Sequence, residues 1–426
     1  MMFSKKGSLL YASIFLSVLL SGCGGGEAVD EAGQYISTVE EIDIPDDVKV
    51  IGLGEATHGN IEFQELKKDV FEALIKNENV HVFVLEGDFG GGQQINQFIV
   101  NGNGTAEEAV KALDYSIYNT EQMVDLVQWL HDYNVTAGED EKVYFYGNDM
   151  QRYDFSKKEV LDYYEAVNLD NNKKYADQLK NVSNDTMREL TTKQLEEINH
   201  TVDNILLDLQ SNVGTYEEQS SHDAFSFALQ HAQIMKQRTQ LFLNEENYTK
   251  LRDKYLADNL QWIVEFEAER GHGKVFVSGH NGHIEKTSAS LAGYKSMGNY
   301  LDELYGAEYF AIGTDLINSE FQALNRGSDE RQIHTIENHN DLVDAFSEVE
   351  PNIFYVGFEK ASESEELLNM IKSEQKMVNI GDDFRSWHRL LKMFYTIEMI
   401  PKEAYDGIII IKEAVPTTVI DKTEVL

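Results

Sequence analysis

Four short segments carry groups able to move protons or hold charge. They are Gly54-Glu55-Ala56-Thr57-His58, Glu86-Gly87-Asp88, Gly147-Asn148-Asp149 and Gly279-His280-Asn281-Gly282-His283, and each follows an apolar run. A neutral imidazole such as His58 can take a proton from water near pH 7. Glu55, three residues before it, or Glu62, four after, can orient the ring. Taken alone, His58 reads more readily as a capping or core histidine. His280 and His283, flanking Asn281-Gly282, are harder to explain by packing. They could donate to an oxyanion, protonate a leaving group or bind a metal. Carboxylates at the ends of buried strands, as at Glu86, Asp88 and Asp149, are costly unless they face a site.

These segments need elements to bring them together. Val48–Leu53, Val80–Leu85, Val143–Tyr146, Lys274–Ser278, Tyr309–Thr314, Ile353–Phe358 and Gly407–Lys412 read as strands, the first turning at Gly52 and Gly54. Between them, Phe63, Leu66, Val70 and Leu74 keep a helical stripe, and another helix covers Thr120–Tyr133. Gly90-Gly91-Gly92 reads as a loop before a helix from Gln93. From about Phe155 to Gly271 the chain is polar, helical in period and without a convincing strand. The fold expected is α/β: a mostly parallel sheet flanked by helices, with a large α-helical insertion over residues 155–271. In such sheets ligands bind beyond the carboxyl ends of the strands, where all four segments would meet.

Several chemistries are excluded. Cys23 is the only cysteine of 426 residues, so there is no intrachain disulfide and no catalytic thiol. No Gly-x-Ser-x-Gly elbow, P-loop or His-Glu-x-x-His occurs, and Gly52 to Thr57 lacks the last glycine of a dinucleotide fingerprint. Lys5 and Lys6, the apolar run Leu9–Leu20 and Leu20-Ser21-Gly22-Cys23 resemble a bacterial lipoprotein signal. The expected organisation is a signal peptide over residues 1–22, a lipid on Cys23 that ties the protein to the cell-envelope membrane, a flexible tether over 23–45, and one α/β domain over 46–415. A formal net charge of −38 repels nucleic acid and, by sign alone, favours neutral or cationic substrates.

Gly52-Leu53-Gly54-Glu55-Ala56-Thr57-His58-Gly59 with Glu62-Phe63, then Glu86 with Ile95-Asn96, Leu251-Arg252-Asp253 through Asn259-Leu260-Gln261-Trp262, and Gly279 to Ile284, together resemble the erythromycin esterase family. The resemblance implies hydrolysis of an ester or lactone by histidine-activated water, without cofactor, metal or covalent intermediate. His58 matches the family's base, Glu86 a second acidic position, and His280 and His283 its histidine pair. Lys67 stands where relatives often carry arginine, and keeps the charge without the bidentate geometry. Arg252 matches an arginine of the family's long helix and could reach the site or pair with Asp253. The expected catalytic set is His58, Glu55, Glu86, His280 and His283, with His280 or His283 serving the oxyanion. Asp88, Asp149, Asn281, Lys67 and Arg252 are expected to bind substrate. Two rivals remain: a metal-dependent hydrolase using Glu55, His58, Glu86, His280 and His283 for zinc or manganese, and a lipoprotein that binds a ligand without turning it over.

Overall fold

A computed structural model describes residues 28–289, 293–328 and 330–420. Cys23 and the expected signal peptide lie outside the described residues. The strands are β1 (Val50–Glu55), β2 (Val82–Asp88), β3 (Tyr144–Asp149), β4 (Val275–His280), β5 (Tyr309–Asn325), β6 (Glu330–Glu337), β7 (Ile353–Gly357), β8 (Gln375–Val378), β9 (Thr396–Met399) and β10 (Gly407–Ala414). The main sheet runs β3-β2-β4-β1-β5-β10-β7, with β6 paired to β5. Its pairs are parallel except β10 with β7 and β5 with β6. β8 and β9 form a separate antiparallel hairpin. The α/β class and the mostly parallel sheet are as the sequence implied.

The strands are buried on both faces, which is why β1, β2, β4 and β10 read as near-continuous apolar runs. Helix α1 (Ile61–Glu78) packs Phe63, Leu66, Val70, Phe71 and Leu74 into the core on one face, which α2 (Phe89–Asn101), α3 (Ala106–Lys111) and α4 (Glu121–Thr136) complete. Helices α5 (Asp154–Val167), α6 (Leu169–Leu179), α7 (Thr192–Ser211), α8 (Val213–Gln219) and α9 (His222–Leu243) share a core of their own around Val160, Tyr164, Val202 and Ile205. Helix α10 (Tyr248–Glu269) behaves differently. Its Leu256, Leu260 and Ile263 join Val82, Val84, Val275 and Val277 of the sheet, so it is a crossover helix of the main fold.

Three expectations change. Gly52 and Gly54 lie inside β1, because the side chains of Tyr309 and Asn281 fill the space their Cβ atoms would take. Gly90, Gly91 and Gly92 form the first turn of α2: Asp88 caps it by accepting from the Gly91 N–H at 2.6 Å, and a Cβ on Gly92 would stand 2.2 Å from the Gly147 nitrogen of β3. The tether expected over 23–45 is packed structure from residue 28 on. Val29 N–H donates to the Ala345 carbonyl, Ser37 pairs with Tyr355 of β7, and Val39, Ile42 and Ile44 are buried. Residues 23–27 lie outside the described residues.

Candidate active site

The register of the sheet builds the site. Glu55, last in β1, lies opposite His280, last in β4, and Asp88 of β2 opposite Asp149 of β3. The chain then turns at Thr57-His58-Gly59-Asn60 into α1. Three backbone contacts brace that turn: the Gly59 carbonyl accepts the N–H of Gln322 at 3.2 Å and that of Thr417 at 2.9 Å, and the Ala56 carbonyl accepts the Ile380 N–H at 2.8 Å. The Asn60 amide donates to Ser319 Oγ at 3.0 Å and to the Glu320 carbonyl at 2.8 Å. The extension of β5 beyond Thr314 thus holds His58 in place.

Glu55 is buried and spends both oxygens. Oε1 lies 2.8 Å from His58 Nδ1, and Oε2 accepts from Lys67 Nζ at 2.6 Å. Burial alone would raise its carboxyl, but the Lys67 ammonium and then His58 bring it down to about 2. A carboxylate here fixes the proton of a neutral His58 on Nδ1 and leaves Nε2 as the basic atom, in a residue that lines the cavity.

The His280 ring centre is 5.0 Å from that of His58. Its Nε2 lies 3.0 Å from the Ile380 carbonyl, which can only accept, so Nε2 carries the proton and Nδ1 a lone pair. Burial, then the neighbouring His58, push His280 down to about 3. It stays neutral and offers no donor to an oxyanion, which removes it from that expected role. His283 differs. Nδ1 meets Asp253 Oδ1 at 2.6 Å, and Nε2 lies between Glu86 Oε1 at 3.3 Å and Arg252 Nη1 at 3.1 Å. Burial opposes its charge, but the Asp253 and Glu86 carboxylates prevail and raise it to about 8. When protonated, Nε2 donates to Glu86; when neutral, it accepts from Arg252.

Glu86 is buried yet held well below the usual carboxylate range. His283 and Arg252 overcome the burial, and Oε2 accepts the His280 backbone N–H at 2.8 Å. Arg252 reaches from α10 to Glu86 Oε1 at 2.7 Å and to Asp149 Oδ2 at 2.6 Å. The pairing considered between Arg252 and Asp253 does not form: Asp253 instead holds His283.

A cavity of about 450 Å³ opens above these groups, lined among others by His58, Glu86, Arg252, His280 and His283. Of the five residues expected to bind substrate, Arg252 alone lines it. Asp149 lies behind Arg252, Lys67 lies behind Glu55, and Asp88 caps α2, with burial pushing its carboxyl up to about 7. Asn281 is buried and spent on backbone, donating to the Thr314 carbonyl at 2.7 Å and accepting the Thr314 N–H at 3.1 Å. These four are supports. Two of the five groups named for the metal alternative are likewise engaged. Glu55 and Glu86 are taken by Lys67 and Arg252, and among the described residues no three acidic, histidine or cysteine side chains are placed to hold an ion. The carbonyl of Ile380 escaped the sequence reading because any residue can supply a carbonyl. Asp253 enters the sequence pattern only as one of two alternatives open to Arg252, and nothing in its spacing points to His283.

The sequence model of the family described as erythromycin esterase matches residues 75–414. The chain belongs to the erythromycin esterase family. It is 26% identical to the erythromycin esterase type II of Escherichia coli over 398 residues, which cover 86% of this chain and 90% of that protein. A Bacillus cereus protein of known structure superposes with a TM-score of 0.77 at 22% identity, covering 92% of this chain and 98% of that one. A structure described as a succinoglycan biosynthesis protein gives 0.74 at 21%, covering 91% and 96%. A mutant of the erythromycin esterase EreC in its open conformation gives 0.65 at 15%, covering 89% and 93%. At these identities the three structures bear on the fold. Membership of this family supports hydrolase activity on a small-molecule ester or lactone.

Proposed function

We propose that this erythromycin esterase family member cleaves carboxylic ester or lactone bonds with water activated by His58, without a metal. One observation carries the reading: a buried glutamate, kept ionised by a buried lysine, grips Nδ1 of a histidine that lines the cavity. Water bound between His58 Nε2 and the lone pair of His280 Nδ1 loses its proton to His58. Arg252 keeps one Nη1 hydrogen beyond its contact with His283, and offers it to the tetrahedral oxyanion. His283, charged up to about pH 8, protonates the departing alkoxide.

The test is incubation of the protein and its His58→Ala variant with a panel of macrolides and simple esters, scored by mass spectrometry for gain of one water. We expect turnover by the parent and a fall of about 10²–10⁴-fold in the variant. Undiminished turnover in a folded variant would defeat the mechanism. The lipid anchor belongs to the same proposal. Metabolic labelling with palmitate should mark the full chain and not its Cys23→Ala variant.

A further inference from the structure

The cavity holds more positive charge than the chemistry uses. Besides Arg252 it is lined by Arg152, Arg188, Arg238 and Arg326, in a chain with 36 basic and 74 acidic residues. Most of these cations are answered. Arg252 has Glu86 and Asp149, Arg152 has Asp114 at 2.8 Å, and Arg326 has Asp383 at 3.0 Å. Arg188 and Arg238 are not: among the described residues neither has a carboxylate within ion-pair distance.

Arg238 is the telling one. On α9, it is only 4% exposed. Its protein contacts are a 3.4 Å bond from Nη1 to Tyr248 Oη and the face of Phe242, 4.3 Å from the guanidinium carbon to the ring centre. A guanidinium does not shed its proton and brings five N–H donors, so most of them have no protein partner and are left to the cavity that Arg238 lines. Tyr248 Oη already accepts from Gln151 Nε2 at 2.6 Å and from Arg238, so its own proton is free for an acceptor in the cavity. Arg188, an exposed side chain on the 3-10 turn Met187–Glu189, stands at the rim. A planar fork, a phenol donor and a second guanidinium fit a carboxylate or a phosphate.

We propose that the ester hydrolysed here carries a second, anionic group, a carboxylate or phosphate, bound by Arg238 and Tyr248 with Arg188 at the rim. This rests on the hydrolase reading and names its substrate class. It reverses what net charge alone implied: the surface is acidic, but the cavity selects an anion. The insertion supplies the selectivity, since Arg188 and Arg238 both come from the block between β3 and α10.

The test compares p-nitrophenyl valerate with mono-p-nitrophenyl glutarate, acyl groups of equal length that differ by a terminal carboxylate. Glutarate and inorganic phosphate serve as binding probes in calorimetry. We expect kcat/KM to favour the anionic ester by about tenfold or more, and Arg238→Gln to shrink that ratio through KM for the anionic ester. Arg188→Gln, at an exposed side chain, should act in the same direction without risk to the fold. Relative affinity for glutarate and phosphate tells which anion the site prefers. Equal turnover of both esters, or a preference untouched by Arg238→Gln in a chain that melts normally, overturns the anion site and leaves the hydrolase standing. If neither ester is cleaved, hydrolysis is in question and binding decides. Glutarate or phosphate affinity that drops about tenfold in Arg238→Gln upholds the anion site, and absence of binding by the parent overturns it.

Discussion

At the scale of single residues, the three site histidines are given different jobs by what touches their nitrogens. His58 faces an anion on Nδ1, His280 a neutral carbonyl on Nε2, and His283 two carboxylates. In the proposed mechanism the same side chain thereby serves as a base, a neutral acceptor and an acid. That division yields a pH prediction. His283 is raised to about 8, so its acid form, and the stability it lends the fold, are fully present below the ordinary histidine value of 6.5 and are lost as pH climbs through 8. The kcat/KM profile for an ester should therefore fall above about pH 8. Asp253→Asn removes one of the two charges that raise His283 while keeping an oxygen for the Met297 N–H, now 2.9 Å away. Its alkaline limb should move down by about one pH unit, as measured by kcat/KM against pH. A limb that stays in place would take the proton donor's role away from His283.

At the scale of elements, the apolar runs of the parallel sheet stand out in the sequence, and with them the chemistry at strand ends. What the sequence hid was held by backbone or broke the apolar rule. β5 runs on to Asn325 through Asp315, Asn318, Ser319 and Glu320, polar residues that mask a strand whose extension braces the His58 turn. β8 and β9 are four residues each, too short to announce themselves, yet the Ile380 carbonyl just beyond β8 sets the His280 tautomer. The triple glycine reads as a loop because glycine is a poor helix former, and glycine is needed in this helical turn because Gly90 lies against Phe155, Gly91 against the Ala112–Leu113 backbone and Gly92 against Gly147 of β3. The cap of that helix can be tested. Burial raises Asp88 to about 7, helped by Asp149, although the Gly91 N–H favours its charge. The folded state then holds a proton that the unfolded chain releases near pH 4, so Asp88 weakens the fold as pH rises from about 4 to 7. Asp88→Asn keeps an accepting oxygen and cannot ionise. Its stability relative to the parent should be higher at pH 8 than at pH 5 in urea denaturation, and a relative stability that falls as pH rises would contradict a buried neutral carboxyl.

At the scale of the whole molecule, the site draws on segments near residues 55, 86, 252, 280 and 380, so its geometry is no better than the integrity of the sheet. The sheet has a weak side. β7 runs antiparallel to β10 and ends the row, and an open edge is a place for fraying or for pairing with a stranger. The N-terminal strap closes it. Ser37 pairs with Tyr355 of β7, Val29 and Ala32 sink into the core on one face, and Val39, Ile42 and Ile44 into the core on the other. The strap therefore clamps both layers across the edge, which a tether would not do. Each of its buried aliphatic side chains, Val29, Val39, Ile42 and Ile44, contributes about 1.5–3 kcal/mol, and the ordering entropy of the strap's backbone opposes that gain. A chain beginning at Asp46 should melt at least about 5 °C below the full chain, with Ile42→Ala falling between the two. Because no strap residue lines the cavity, ester turnover measured well below the melting point should survive in the truncated protein and disappear at its lowered midpoint. An unchanged melting point would mean that β7 holds its edge unaided.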